Sequence, residues 1–254
     1  MKKPILYLDI LGFRELVETD SDKIPTIFSI VNTLKANKHP DFKVIMFSDT
    51  VIIFNEIENK PIDYYCTYLI EFVVDLYYEL LHHDIFFRAI IHYDIFNYKK
   101  LANIEAYYGK ALINCYDAEK EIKCIGLFID KNISKEVFTF DISQYNDNYY
   151  IVHIWASIKR LYNYSAGVLP VQSDVFTETD DFSRADEDLY FLRKLYYYKE
   201  NHKSEVVRTK YQNTYIEMKR AMPLFFAIFE KVDFLPMTLN SDYIGKINPF
   251  DEIE

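Results

Sequence analysis

Two aspartates stand in surroundings that do not suit a charge. Asp9 lies within Ile5-Leu6-Tyr7-Leu8-Asp9-Ile10-Leu11-Gly12-Phe13. There Leu6, Leu8 and Ile10 alternate with Ile5, Tyr7 and Asp9, so a strand is apolar on almost both faces and reads as buried. An ionised carboxylate in such a place is costly unless something pairs with it. No basic residue occurs in the run, so the partner comes from elsewhere in the fold or is a cation. Asp49 sits in a second such stretch, Phe42 to Phe54, where two apolar runs flank Ser48-Asp49 in the pattern of a hairpin with a carboxylate at its tip. Arg88, inside the apolar run Ile85 to His92, is either a buried ion-pair partner or a ligand for phosphate. Gly109, in Tyr107-Tyr108-Gly109-Lys110-Ala111-Leu112, opens a helical pattern; a glycine there allows close backbone approach, and a helix N-terminus favours an anion.

The elements that must position these residues follow from periodicity. After the first strand, Arg14 to about Asn37 reads as helical, with a start at Ser21 or Asp22 and Pro25 near the first turn. The chain between Asp9 and Asp49 is long enough for a helical crossover, so the first strand and the hairpin can be neighbours in one sheet. A second helix runs from Pro61 to about His83, with Tyr65, Leu69, Phe72, Val73, Leu76 and Leu80 in helical rhythm. A strand over Ile85 to His92, a helix from Gly109 to about Ile122, and strands over Ile125–Ile129 and Tyr149–Ile154 complete the first part. From about Pro170 the character changes. Glu178 to Asp188 reads as a solvated loop, and helices follow over about Glu187–Glu200 and about Ser204–Val232, the latter kinked at Met222-Pro223. The expected domains are therefore 1–169 and a helical C-terminal extension, 170–254, packed on the same domain.

Composition excludes several classes. Half of the 254 residues are hydrophobic, which supports a sizeable core and argues against disorder. The net charge of −10 argues against non-specific nucleic-acid binding. Cys66, Cys115 and Cys124 form no metal-binding spacing and read as buried thiols in a reducing compartment. His82-His83-Asp84 at a helix end reads as a solvated boundary. Neither a signal peptide nor a membrane span is expected, so the chain reads as cytoplasmic.

The ordered pair Tyr7-Leu8-Asp9-Ile10-Leu11-Gly12-Phe13 and Phe47-Ser48-Asp49-Thr50 resembles the palm domain of class III nucleotidyl cyclases, and most of all the pyrimidine cyclases of bacterial anti-phage defence, the Pycsar systems. The likeness spans roughly the first half of the chain. It implies an α/β (α+β) palm: a central, mostly antiparallel sheet flanked by helices. It also implies that Asp9 and Asp49, with the backbone carbonyl of Ile10, hold two Mg²⁺ or Mn²⁺ ions; hard cations of this kind take oxygen ligands. Gly12, Phe13 and Arg14 would hold the triphosphate, and the helix after Gly109 would border the substrate pocket. Cyclases of this class build the site across a dimer, so a homodimer is implied.

The departures from that pattern bear on the substrate. Ile45 and Ala106 fall where adenylate cyclases carry an adenine-reading lysine and aspartate, which disfavours adenine. Tyr107, Tyr108 or Tyr116 could reach inward and offer a hydroxyl to a pyrimidine. Ile113 and Asp117 replace the transition-state Asn and Arg, so either Arg88, Lys110 or another cation substitutes, or the chain is catalytically silent. The reading that results is a cyclase converting UTP to 3′,5′-cyclic UMP and pyrophosphate as a defence signal. Cyclic CMP is the nearest alternative product, and a silent nucleotide-binding or dimerisation module is the alternative of another class. A linear-nucleotide polymerase is disfavoured because no Gly-Gly-Asp-Glu-Phe signature occurs.

Overall fold

The computed structural model describes residues 1–34, 38–178 and 182–240. The chain divides into two compact units, Met1–Ile154 and Trp155–Glu254. The first holds a seven-stranded sheet. Its strands are β1 (Lys2–Ile10), β2 (Phe42–Phe47), β3 (Thr50–Asn55), β4 (Phe87–Ile95), β7 (Gly126–Asp130), β8 (Ile142–Gln144) and β9 (Tyr149–Val152), in the order β2-β3-β1-β4-β7-β9-β8. All neighbours are antiparallel except β4 and β7. A separate hairpin joins β5 (Asn97–Lys100) to β6 (Glu105–Tyr108). The helices are α1 (Phe13–Thr19), α2 (Lys23–Thr33), α3 (Ile62–Leu81) and α4 (Lys110–Glu121). The expected central, mostly antiparallel sheet flanked by helices is thus what the chain forms.

The core follows from the patterns that reveal the elements. Leu6, Leu8 and Ile10 are at most 2% exposed and share one face of β1, while Tyr7 and Asp9 share the other. Helix α3 is buried nearly all round, from Tyr65 to Leu81, and packs on β1 and β4. All three cysteines are free and buried. The expected helix over Arg14–Asn37 is two helices, because the chain leaves helical geometry at Asp20, whose φ is −149°. Residues 35–37 of that expectation lie outside the described residues. The β5–β6 hairpin and β8 carry too little apolar alternation to have been expected.

The second unit is helical: α5 (Ala156–Tyr164), α6 (Ser173–Glu178), α7 (Ala185–Asn201), α8 (Glu205–Ala221) and α9 (Pro223–Phe229). Its start after Ile154 precedes the 169/170 boundary expected from composition, since α5 packs on α7. The expected kink at Met222-Pro223 is a full break, with Met222 outside the helical region at φ −139°, ψ 57°. The expected acidic loop over Glu178–Asp188 needs correction at its end. Asp186, Glu187 and Asp188 form the first turn of α7, where carboxylates suit the helix dipole. Asp188 is fully buried and accepts the Ile158 N–H of α5 at 3.0 Å. Residues 179–181 of that stretch lie outside the described residues. Among the described residues no helix is long and apolar enough to cross a membrane.

Candidate active site

Strand register brings the two aspartates to one end of the sheet. Asp9 pairs with Thr50 on β3, next to Asp49, and with Arg88 on β4. The Ile10 N–H donates to the Asp49 carbonyl oxygen at 3.0 Å, which ties the strand end to the hairpin tip. The tip itself is tight: Ser48 has φ 57°, a left-handed conformation that serine adopts only in turns. Asp9, its side chain 16% exposed, and Asp49 are both half-buried.

Arg88 is a buried ion-pair partner. It is 4% exposed, and its Nη2 donates to Asp9 Oδ2 at 3.0 Å and to Glu119 Oε1 of α4 at 2.9 Å, while Nη1 donates to the Ile122 carbonyl at 2.8 Å. Tyr7, two residues before Asp9 on the same face, donates to Glu119 Oε2 at 3.2 Å. Burial first, and then the Glu119 carboxylate, push the Tyr7 hydroxyl up to about 12. Tyr7 and Glu119 escaped the sequence reading. Strand alternation already set Tyr7 beside Asp9, but nothing local links either residue to Glu119.

The remaining candidates are distributed around this centre. Gly12, at φ 73°, turns the chain from β1 into α1; Phe13 is buried there, and Arg14 lies in solvent paired with Glu18 at 3.1 Å. Ile45 pairs with Ile52, itself opposite Tyr7, so Ile45 lies on the Asp9 face of the sheet. Tyr107 belongs to another cluster. Its ring stacks on Tyr98 with centroids 5.2 Å apart, and its hydroxyl donates to Glu105. Lys43 of β2 completes that cluster, donating to Tyr98 at 2.6 Å and Glu105 at 2.7 Å. Tyr107 thereby pins the hairpin to β2, with its hydroxyl already engaged. Tyr108 and Tyr116 are exposed, and the Lys120 ammonium covers the Tyr116 ring at 3.9 Å. Lys110 pairs with Asp94 at 3.6 Å.

A second polar group lies further along β4. His92 Nδ1 is 3.0 Å from Asp130 Oδ2, and Asn114 contacts His92 Nε2 at 2.6 Å. Burial lowers the His92 pKa and outweighs the neighbouring Asp130 carboxylate. These side chains border a hollow of about 270 Å³ beside α4. A larger groove, about 900 Å³, runs between α2 and the edge strand β2, lined by Phe28, Val31, Phe42, Val44 and Met46. Asp9 and Asp49 lie outside both.

No protein-family model matches the chain, and no curated protein does. Solved structures similar to part of it include the adenylyl cyclase CyaB from P. aeruginosa, 12% identical over 59% of this chain and 93% of that one, with a TM-score of 0.49. A bacterial light-regulated adenylyl cyclase is 16% identical over 60% of this chain and 90% of its own, at 0.45. The guanylyl cyclase Cya2 is 12% identical over 60% and 92%, at 0.44. Scores below 0.5 decide nothing about this chain, whose architecture stands on its strand order and register.

Proposed function

We propose that this chain is a nucleotidyl cyclase that converts a pyrimidine nucleoside triphosphate, UTP before CTP, into its 3′,5′-cyclic monophosphate and pyrophosphate. The observation that carries the reading is the convergence of Asp9 and Asp49 at one sheet end, tied by the Ile10–Asp49 hydrogen bond. The donors there are carboxylate and carbonyl oxygens, which suit hard cations such as Mg²⁺ or Mn²⁺ and suit soft metals poorly. Asp9, Asp49 and the Ile10 carbonyl would hold them. When bound, such ions lower the pKa of the attacking ribose 3′-hydroxyl and offset charge on the departing pyrophosphate. The chain's own part is to hold Asp9 at the end of β1 beside the hairpin turn that carries Asp49, and to turn sharply at Gly12, where backbone N–H groups would meet the phosphates.

The pyrimidine preference rests on Ile45 and Ala106. By the sequence resemblance these stand where adenine would be read, and neither offers a polar group. Ile45 lies across the sheet from Tyr7, on the face that also carries Asp9. That a second copy of the chain completes the site rests on the sequence resemblance alone. The role of the product as an anti-phage signal rests on the same resemblance.

One observation favours a second reading, a silent nucleotide-binding module. Arg88, a candidate replacement for the transition-state arginine, is engaged inside the fold by Asp9, Glu119 and Ile122. Incubation with each of the four nucleoside triphosphates and Mn²⁺, with products identified by mass, separates the two. Cyclic UMP as the main product is the expected result. Nucleotide binding without any cyclic product selects the module, and cyclic AMP as the main product sinks the pyrimidine reading.

A further inference from the structure

A guanidinium beside a lone carboxylate offsets its charge and competes with any cation for its oxygens. Arg88 stands in that relation to Asp9, and the surrounding contacts limit the effect. Arg88 is held by three acceptors: Asp9 Oδ2 at 3.0 Å, Glu119 Oε1 at 2.9 Å and the Ile122 carbonyl at 2.8 Å. A single nitrogen, Nη2, serves both carboxylates. Glu119 is fixed in turn by the Tyr7 hydroxyl on its other oxygen, Oε2, at 3.2 Å. The side chains of Arg88, Asp9 and Glu119 are 4%, 16% and 25% exposed, so solvent screens this triad only in part. Two carboxylates around one guanidinium leave a net negative charge; one carboxylate would leave none.

We propose that Glu119 is a positioning residue for Asp9 that acts through Arg88. It balances the guanidinium charge, so that the Asp9 carboxylate keeps its attraction for a divalent cation, and it anchors the guanidinium that orients that carboxylate. The proposal rests on the reading of Asp9 and Asp49 as metal ligands. It adds a third carboxylate, contributed by α4, which does not itself touch the metal.

The test is Mn²⁺ binding to the substrate-free protein, followed by the loss of the free-Mn²⁺ electron paramagnetic resonance signal. Glu119→Gln deletes the charge and keeps one oxygen to accept from Arg88, an amide NH2 replacing the oxygen that meets Tyr7, and its Mn²⁺ affinity is expected to fall about tenfold or more. The double variant Arg88→Gln, Glu119→Gln removes both charges and is expected to return to near wild-type affinity. A purely structural role would also recover in the double variant, so urea unfolding is measured beside affinity: a fall in affinity at unchanged stability in Glu119→Gln supports the charge account, and a fall that only tracks lost stability overturns it. Wild-type affinity in Glu119→Gln overturns the proposal, as does a double variant as weak as the single one. If Glu119→Gln fails to fold because Arg88 is left underpaired, the double variant, which carries no buried guanidinium, decides alone. Near wild-type affinity then supports the proposal and a tenfold loss overturns it. A wild-type protein that binds no Mn²⁺, or an Asp9→Asn variant that binds it normally, is a different failure: it removes the metal reading and this proposal with it.

Discussion

Asp9 and Asp49 share one proposed role, but they make different demands on the fold. Asp9 accepts from buried Arg88, whereas Asp49 is a half-buried hairpin tip. Asp9→Asn and Asp49→Asn are both expected to lower cyclase turnover by at least about 100-fold, since each removes a metal-binding charge. Only Asp9→Asn is expected to cost stability as well, about 1 to 2 kcal/mol, because it weakens a charge-assisted hydrogen bond. Urea unfolding of the two variants beside the wild type measures the difference. Equal losses of stability would show that Arg88 does not depend on Asp9. The sequence was informative at this scale wherever chemistry was local. Asp9 in an apolar run and Asp49 at a turn were visible because each is out of place among its immediate neighbours. Glu119 was not, since a glutamate on an otherwise polar helix is unremarkable until the fold brings it to Arg88. The cluster around Tyr107 was hidden for the same kind of reason: Lys43 and Glu105 are joined only by tertiary structure.

The β5–β6 hairpin meets the sheet through the Lys43–Glu105 ion pair and through the Tyr98 and Tyr107 rings, which pack on Phe54. Hydrogen bonds from Lys43 and then from Tyr107 pull the Glu105 pKa down from 4.5 to about 2. A carboxylate with a depressed folded-state pKa stabilises the fold above its unfolded value and loses that contribution as pH falls through the folded one. The hairpin is therefore expected to loosen between pH 4.5 and about 2. Amide protection at Tyr98 and Tyr107, taken relative to the intrinsic exchange rate at each pH, should fall over that interval in the wild type. In Glu105→Gln it should be low throughout and nearly independent of pH. Two glycines mark element boundaries with different consequences. Gly12, at φ 73°, has open space where a Cβ would stand, so Gly12→Ala should cost only the left-handed backbone, about 1 kcal/mol. At Gly109, φ 150°, a Cβ would lie 2.3 Å from the Ile95 carbonyl oxygen. Gly109→Ala should therefore cost at least about 2 kcal/mol, measured by the same unfolding experiment. Elements were legible where apolar period and length agreed, as in β1, the β2–β3 hairpin, α3 and α4. They were not legible where tertiary contacts did the work, as in β5 and β6. The α1–α2 break at Asp20 was hidden inside a continuous helical rhythm.

At the scale of the whole molecule, the sequence resemblance implies a site shared between two copies of the chain. Specific activity is then expected to fall as the protein is diluted through its dimer dissociation range, in step with the sedimentation coefficient. Full activity from a monomer would contradict that. The single parallel contact in the sheet, β4 beside β7, has a kinetic consequence. Parallel neighbours cannot be joined by a tight turn, and here the connection contains the β5–β6 hairpin and α4. The β2–β3 hairpin and its contact with β1 require shorter loop closures and can form ahead of it. Asp9 and Asp49 would then be side by side early, while Glu119 arrives only when α4 docks. Saturating Mn²⁺ should therefore speed folding more than it slows unfolding, displacing the folding limb of the chevron and leaving the other almost still. A cation recruited so early in folding would act as a seed for the sheet rather than a seal on the finished one.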